Sequence, residues 1–422
     1  MLKKIGYISI AELITKIISY LLLPLYLLLM PKAEFGEFGF YFITIPSISS
    51  LLSLSLYVPF IKSYCSKNEK ATTDEIVSSI FISIFVLVVS FFLIVIPVGF
   101  ISPELVISFF GSTNHINEKY WLFFALITTS IFSLYLYSLL IARNKTHEIY
   151  IYILLKFFVV SFLSLAFLYY NLSTKDSTID RLLAIVIAET VLLIAYFFYT
   201  IKAYIRFKVN WEFLIRQIQV ALPLMPLGII GIFFVLVDRK FITQYHGLSE
   251  LASYNLAWQL LMPIQMLMAS VQTVWAPHLF SIKDKLNAFN KTLHTIKVAF
   301  IVMIFGIIFI WIAVKAALLY KFISTDYLNV LDIMVYSSLG MIAAALSQLC
   351  NNMFVYLNKT SLQLFVGIFA LAIFFLMSYI LIPSYSSVGA AISLSAANFI
   401  TLIVSIFILR GSCVLNRGTM ND

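Results

Sequence analysis

Several ionisable side chains sit well inside apolar runs of this chain. Glu12 and Lys16 lie in ISIAELITKIISYLLLPLYLLL (8–29), Lys156 and Glu189 in the runs 149–170 and 182–203, and Lys297 and Lys315 in 293–318. A charge at the centre of a bilayer costs about 2.5–3.5 kcal/mol on insertion scales, so such residues are kept for a partner, an ion or a solute. Ser9, Glu12, Lys16 and Ser19 follow helical spacing and share one face. From a helix start at residue 5, Lys16 lies about 16 Å deep at 1.5 Å per residue, too deep to reach the interface comfortably. Two chemistries are open to it. One is an internal ion pair, with Glu before Lys in the favoured order. The other is the lining of a hydrated cavity, where a lysine holds an anion by charge-assisted hydrogen bonds. Lys156 can either snorkel or line the same space. Glu189 can pair with a lysine or carry a proton. Lys297 and Lys315, near the ends of their run, are expected to snorkel.

Uncharged polar residues mark further helices: Thr44, Ser47 and Ser50; Asn255, Gln259, Gln265, Gln272 and Thr273; and Gln348, Asn351 and Asn352. Such groups hydrogen-bond between helices or satisfy the hydroxyls of a polar solute.

The elements that must position these residues follow from composition. Of 422 residues, 62% are hydrophobic and 11% charged, against about half and about a quarter in a soluble chain. The chain is therefore expected to be an all-α polytopic membrane protein. The alternating ten-residue strands of a membrane barrel are absent from the pattern. Runs of spanning length fall at 5–30, 38–61, 76–101, 120–142, 149–170, 182–203, 218–238, 251–275, 293–318, 330–357, 361–382 and 388–409, which predicts about twelve transmembrane helices. The first run follows Lys3 and Lys4 but is too long for a signal peptide and contains Glu12, so it reads as a retained helix. With both termini cytoplasmic, the outer segments hold only Lys32, Lys119, Lys175, Arg181, Arg239, Lys240 and Lys321 of the 28 lysines and arginines. That orientation satisfies the positive-inside bias, which also accounts for the net charge of +9 without a nucleic-acid partner. Cys65, Cys350 and Cys413 are too scattered for a disulfide or a metal site. No nucleotide-binding, metalloprotease or Cys-x-x-Cys motif occurs, and no loop is long enough for a soluble catalytic domain. No catalytic residue, metal or cofactor is expected. Pro24, Pro46, Pro59, Pro97, Pro223, Pro226 and Pro263, within or at the ends of spans, free backbone carbonyls and permit kinks suited to a transporter that changes shape.

Three segments carry a resemblance. LLLPLYLLLMPKAEFGEFGFYF (21–42) is similar to a Pro-Leu-Tyr helix end followed by a Glu-aromatic-Gly turn. DRKFITQYHGLSELASYNLAWQL (238–260) resembles an Asp-Arg…Gly…Ala…Tyr passage between helices seven and eight. IPSYSSVGAAISLSAANFI (382–400) resembles the Pro…Gly-Ala-Ala start of helix twelve. In this order they resemble the polysaccharide flippase branch of the multidrug/oligosaccharidyl-lipid/polysaccharide exporter superfamily. The chain departs at Leu27 and Leu28, where many relatives carry an arginine, and at Ser253, where glycine is usual.

The resemblance implies two six-helix lobes, 1–205 and 218–422, joined by a cytoplasmic linker 206–217 and related by a pseudo-two-fold axis around a central cavity. FGEF (35–38) before Pro46 and ASYN (252–255) before Pro263 are a faint trace of that repeat. It further implies a multi-pass protein of the bacterial inner membrane that works by alternating access. The substrate would be an undecaprenyl-diphosphate-linked oligosaccharide, moved from the cytoplasmic to the outer leaflet for O-antigen or capsule synthesis. Coupling to a proton or sodium gradient, contact with membrane lipid and association with other polysaccharide-assembly proteins are compatible with it. On this reading Lys16, Lys156 and Arg239 supply the anion-binding charge. Glu12, Glu189, Asp238, Asn255, Gln259, Gln348 and Asn351 supply polar or ion-coupling groups. Two alternatives stay open. A cation-coupled drug antiporter of the same superfamily would want an acidic cavity, whereas helix-embedded lysines outnumber acids here. A membrane-embedded repeat-unit polymerase would want a long outer loop with arginines.

Overall fold

The computed structural model describes residues 2–53, 73–101, 116–143, 145–170, 176–201, 210–221, 225–357 and 359–414. Cys65, Lys175, Pro223 and residues 54–61 of the expected second span, Pro59 included, lie outside them. All regular elements among the described residues are helical. They are α1 (Leu2–Leu29), α2 (Lys32–Leu52), α3 (Thr73–Ile101), α4 (Ile116–Ala142), α5 (Thr146–Tyr170), α6 (Ser177–Tyr196, continued by a π-turn Phe197–Ile201), α7 (Trp211–Ala221), α8 (Met225–His246), α9 (Leu248–Ser281), α10 (Lys285–Leu319), α11 (Val330–Tyr356) and α12 (Thr360–Val414). Nine of them, among the described residues, are long and apolar enough to cross a membrane. The all-α, many-span expectation is met.

α12 accounts for the last two expected spans together. Its 55 residues would reach about 80 Å as one rod, against about 30 Å of hydrocarbon. It breaks at Ser386 (φ 53, ψ −137), three residues after Pro383. The carbonyl of Ile382, just before the break, meets His246 Nε2 at 2.8 Å. The returning limb comes so close that a Cβ on Gly389 would stand 2.4 Å from the Leu381 carbonyl oxygen, and Ala390 and Ala391 are fully buried. The Pro…Gly-Ala-Ala pattern is therefore the chemistry of a tight reversal.

The stretch before the seventh span also differs from a plain linker. α7 buries Phe213, Leu214 and Gln217 and exposes Trp211, Glu212, Ile215 and Arg216, the pattern of an amphipathic surface helix. Glu212 and Arg216 pair across one turn. Asn210 caps it, accepting from Phe213 N at 3.0 Å while its own N–H donates to Ser79 Oγ of α3 at 2.9 Å.

Two compact units result, Met1–Ile232 and Phe233–Asp422. In the first, α1 packs on α5, α5 on α6, and α2 on α4 and α6, around a core that includes Tyr41, Ile80, Ile127 and Tyr135. In the second, α9, α10 and α12 pack on α11. Each unit closes one end with the same device. At the start of α2, Glu34 accepts from Ser177 N at 2.7 Å, and its carbonyl accepts from Thr178 Oγ1 at 3.1 Å. At the start of α9, Glu250 accepts from Asn329 Nδ2 at 3.1 Å, and its carbonyl accepts from Ser387 Oγ at 3.2 Å. In both units an acid opening the second helix is tied to a hydroxyl opening the sixth.

Candidate functional site

A cavity of about 560 Å³ lies within the first unit. α2, α4, α5 and α6 form its walls, and α1 adds Thr15. Helical spacing explains its lining. Ser130, Ser133 and Tyr137 recur on one face of α4, Tyr152 and Lys156 stand one turn apart on α5, and Leu182, Ile185 and Glu189 follow one face of α6. Phe38, Phe42 and Phe157 supply apolar wall.

The polar centre of this cavity is a four-residue chain. Lys156 Nζ lies 2.8 Å from Glu189 Oε1 and donates to Ser133 Oγ at 2.9 Å. Ser133 Oγ and Tyr152 Oη are 2.6 Å apart. The Lys156 side chain is 34% exposed and that of Glu189 is 9% exposed, so the cation faces the open space and the acid stands behind it. Glu189 Oε2 is buried without a hydrogen-bond partner. Lys156 is ten residues from the start of α5 and Glu189 twelve from the end of the π-turn that extends α6. At 1.5 Å per residue both lie about 15–18 Å from the same end of the antiparallel pair, near the middle of a bilayer core. Lys156 therefore does not snorkel. An ammonium offers three donors, and the two bonds seen leave one for a solute.

A second polar cluster sits at the end of the same unit. Lys119 Nζ bridges Glu37 Oε2 at 2.8 Å and Asp176 Oδ2 at 2.7 Å, and Thr178 Oγ1 reaches Glu37 at 3.3 Å. Lys119 is 2% exposed, so it is a buried tie between α2, α4 and the cap of α6 rather than a loop charge. The cap is Asp176, whose carboxylate accepts from Thr178 N and Ile179 N.

The other expected site residues are distributed as follows. Glu12 is exposed and Lys16 half-buried, and no ion pair joins them. Glu12 and Ser19 share the helical face of Leu23 and Tyr26, which are buried farther along α1, but are themselves exposed; Ser9's side chain lies outside the described residues. Arg239 and Asp238 are in the second unit, nearly fully buried, and bonded to each other at 3.0 Å. Asp238 also accepts from Arg239 N at 2.7 Å and from the Tyr254 hydroxyl, and the Arg239 guanidinium lies 5.3 Å from the Tyr254 ring centre. The Asp-Arg…Tyr pattern thus spells a closed internal lock between α8 and α9, with Gly247 (φ 82) turning the chain between them. Asn255 is fully buried, Gln259 and Asn351 are half-buried, and Gln348 is exposed. Asn352 donates to Gln272, the interhelical bond expected of such residues. Lys297 is exposed, and the exposed Lys315 lies 5.1 Å from the ring centre of Trp311. No group of three His, Cys, Asp or Glu gathers to hold a metal ion among the described residues.

Sequence reading passed over Ser133, Tyr152 and Tyr137. The available signal was their helical spacing, with Tyr152 one turn from the embedded lysine; serine and tyrosine are otherwise too common in such helices to stand out.

Comparison with known proteins matches the sequence to a family. A family profile described as "Polysaccharide biosynthesis protein" covers residues 1–283. A comparison with curated proteins yields no match. Among solved structures, the chain is similar to a lipid II flippase, MurJ, in an inward closed conformation, at 17% identity and a TM-score of 0.74 over 96% of this chain and 87% of that one. It is also similar to an inward-facing multidrug resistance MATE family transporter of the MOP superfamily, at 15% identity and a TM-score of 0.71 over 92% and 91%. A MOP superfamily transporter from Pyrococcus furiosus aligns at 15% identity and a TM-score of 0.65 over 98% and 96%. These likenesses are of fold.

Proposed function

Because the chain belongs to the polysaccharide biosynthesis protein family, we propose that it is a transporter that moves undecaprenyl-diphosphate-linked oligosaccharide from the cytoplasmic to the outer leaflet of the bacterial inner membrane. The observation that carries this reading is Lys156: a cation at mid-bilayer depth, held from behind by Glu189 and Ser133, with a third donor and a third of its side chain facing a cavity. A diphosphate oxygen is a natural acceptor for that donor, because hydrogen bonds between two ionised groups are about twice as strong as neutral ones. Tyr137, Tyr152 and the serines can meet sugar hydroxyls without fixing one sugar. Lys16, half-buried on α1, adds a further cation. Both termini are placed on the cytoplasmic side, where the basic residues crowd. Glu189, with one carboxylate oxygen unbonded, is the group best placed to accept a proton if transport is coupled to a proton gradient. O-antigen and capsule are both suitable destinations for the product.

The test is the lipid-linked sugar pool of a strain lacking the protein. Diphosphate-linked repeat units should accumulate on the cytoplasmic side and surface polysaccharide should fall, with drug tolerance unchanged. A null strain with normal surface glycan and new sensitivity to cationic drugs would replace this reading with drug export.

A further inference from the structure

Arg181, in the second turn of α6, occupies an unusual setting. Its guanidinium carbon lies 3.8 Å from the ring centre of Tyr26 on α1 and 3.7 Å from that of Phe38 on α2. Its one hydrogen bond among the described residues is a long contact from a terminal nitrogen to Met30 Sδ at 3.5 Å. No carboxylate pairs with it there. Asp180, its neighbour on α6, is fully buried and forms no ion pair with it; Lys119 holds Glu37 and Asp176, and Glu34 accepts from Ser177. Aromatic rings satisfy the faces of a guanidinium by cation–π attraction. They leave the N–H donors along its planar edge, the fork that matches phosphate and carboxylate oxygens.

The position of this fork gives it a use. Phe38, one jaw of the clamp, also lines the Lys156 cavity, as do Leu182 and Ile185 just beyond Arg181 on α6. Arg181 and Glu189 are eight residues apart, about 12 Å along the helix. Arg181, next to the lining residue Leu182 though not itself in the cavity wall, therefore stands about two helical turns from the Lys156–Glu189 pair.

We propose that the Arg181 fork, clamped between Tyr26 and Phe38, is a second anion-binding station that takes a diphosphate group at the end of the first unit's cavity. This rests on the transport reading above and adds to it a place for the headgroup after Lys156. The rings pre-orient the guanidinium, so little rotamer freedom remains to be lost when a diphosphate arrives.

The experiment uses the full-length protein in phosphatidylcholine nanodiscs, with farnesyl diphosphate, inorganic pyrophosphate and farnesol as probes. Arg181→Gln should weaken farnesyl diphosphate binding by on the order of tenfold, the loss of one charge-assisted contact, and leave farnesol unchanged. Arg181→Lys should recover part of the loss, because charge returns without the planar fork. An equal loss with inorganic pyrophosphate would assign the station to the diphosphate itself. A loss confined to farnesyl diphosphate would assign it to the lipid-linked form. Should Arg181→Gln not fold, Arg181→Lys carries the test by a several-fold loss for the diphosphate and none for farnesol. Unchanged farnesyl diphosphate binding in Arg181→Gln, or an equal loss for farnesol, overturns the proposal. If Lys156→Gln weakens binding and Arg181→Gln does not, only this station falls. If the unaltered protein binds no diphosphate, the transport reading falls with it.

Discussion

Removing Lys156 alone should harm the protein more than removing Lys156 and Glu189 together. In the unaltered chain the ammonium lies 2.8 Å from Glu189 Oε1, and Glu189 Oε2 already lacks a partner. Lys156→Met would leave both oxygens of a 9%-exposed side chain facing apolar surroundings. Removing one partner of a buried ion pair costs about 3–5 kcal/mol. The open side of Lys156 admits solvent and reduces this to about 2–3 kcal/mol. For a unit of this size that corresponds to a fall in melting temperature of about 4–12 °C, at roughly 2–4 °C per kcal/mol. Lys156→Met with Glu189→Leu removes both charges, and apolar replacement of a whole buried pair is often neutral or stabilising. The assay is thermal stability of the fluorescently tagged protein in detergent, run beside complementation of the null strain. The single variant should lose stability and transport; the double variant should regain stability and still fail to transport. A double variant that transports like the original would refute the functional role and leave the pair a structural brace. A single variant as stable as the original would refute the geometry itself.

Lys119→Met should lower membrane yield by destabilising the first unit by about 3–5 kcal/mol, since Glu37 and Asp176 lose their shared cation, whereas Lys119→Arg should be milder. Gly389→Ala should be poorly tolerated, because the new methyl would meet the Leu381 carbonyl oxygen at 2.4 Å, while Gly231→Ala, with nothing within 4 Å, should be neutral or gain up to about 1 kcal/mol; melting curves of the two variants compare them directly. Tyr254→Phe strips Asp238 of one donor and should cost about 1–3 kcal/mol in the second unit, read as a lower melting temperature. In a cysteine-free background Lys16→Cys should react with a small water-soluble maleimide, and complete protection in every condition would count against a hydrated surrounding.

The membrane class, the all-helical fold and the places of most spans were legible from the chain alone, because apolar run length and helical periodicity are local properties. So was the place of the break between the last two spans, since the expected runs stop at 382 and resume at 388 around Pro383; that Gly389 lets the returning limb pass the Leu381 carbonyl came only from the structure. The expected repeat was only faintly written in FGEF and ASYN. It becomes visible in the structure as the matched ties of Glu34 to Thr178 and Glu250 to Ser387.

Tertiary structure decided which embedded charges meet. Glu12 and Lys16, one turn apart on a single helix, are the obvious pair by spacing and do not form one. Lys156 and Glu189, on different helices, do, because α5 and α6 run antiparallel and bring equal depths together. Hydropathy assigns Lys119 and Arg181 to the margins of apolar runs, since a charge beside such a run looks like a loop charge wherever it lies. What surrounds them depends on what α2 presents to each of them. Glu37 lies beside Lys119 and Phe38 beside Arg181, so two consecutive residues answer two cations from different helices. Spacing along one helix can show that two residues share a face, but only the packing of its neighbours decides what that face touches.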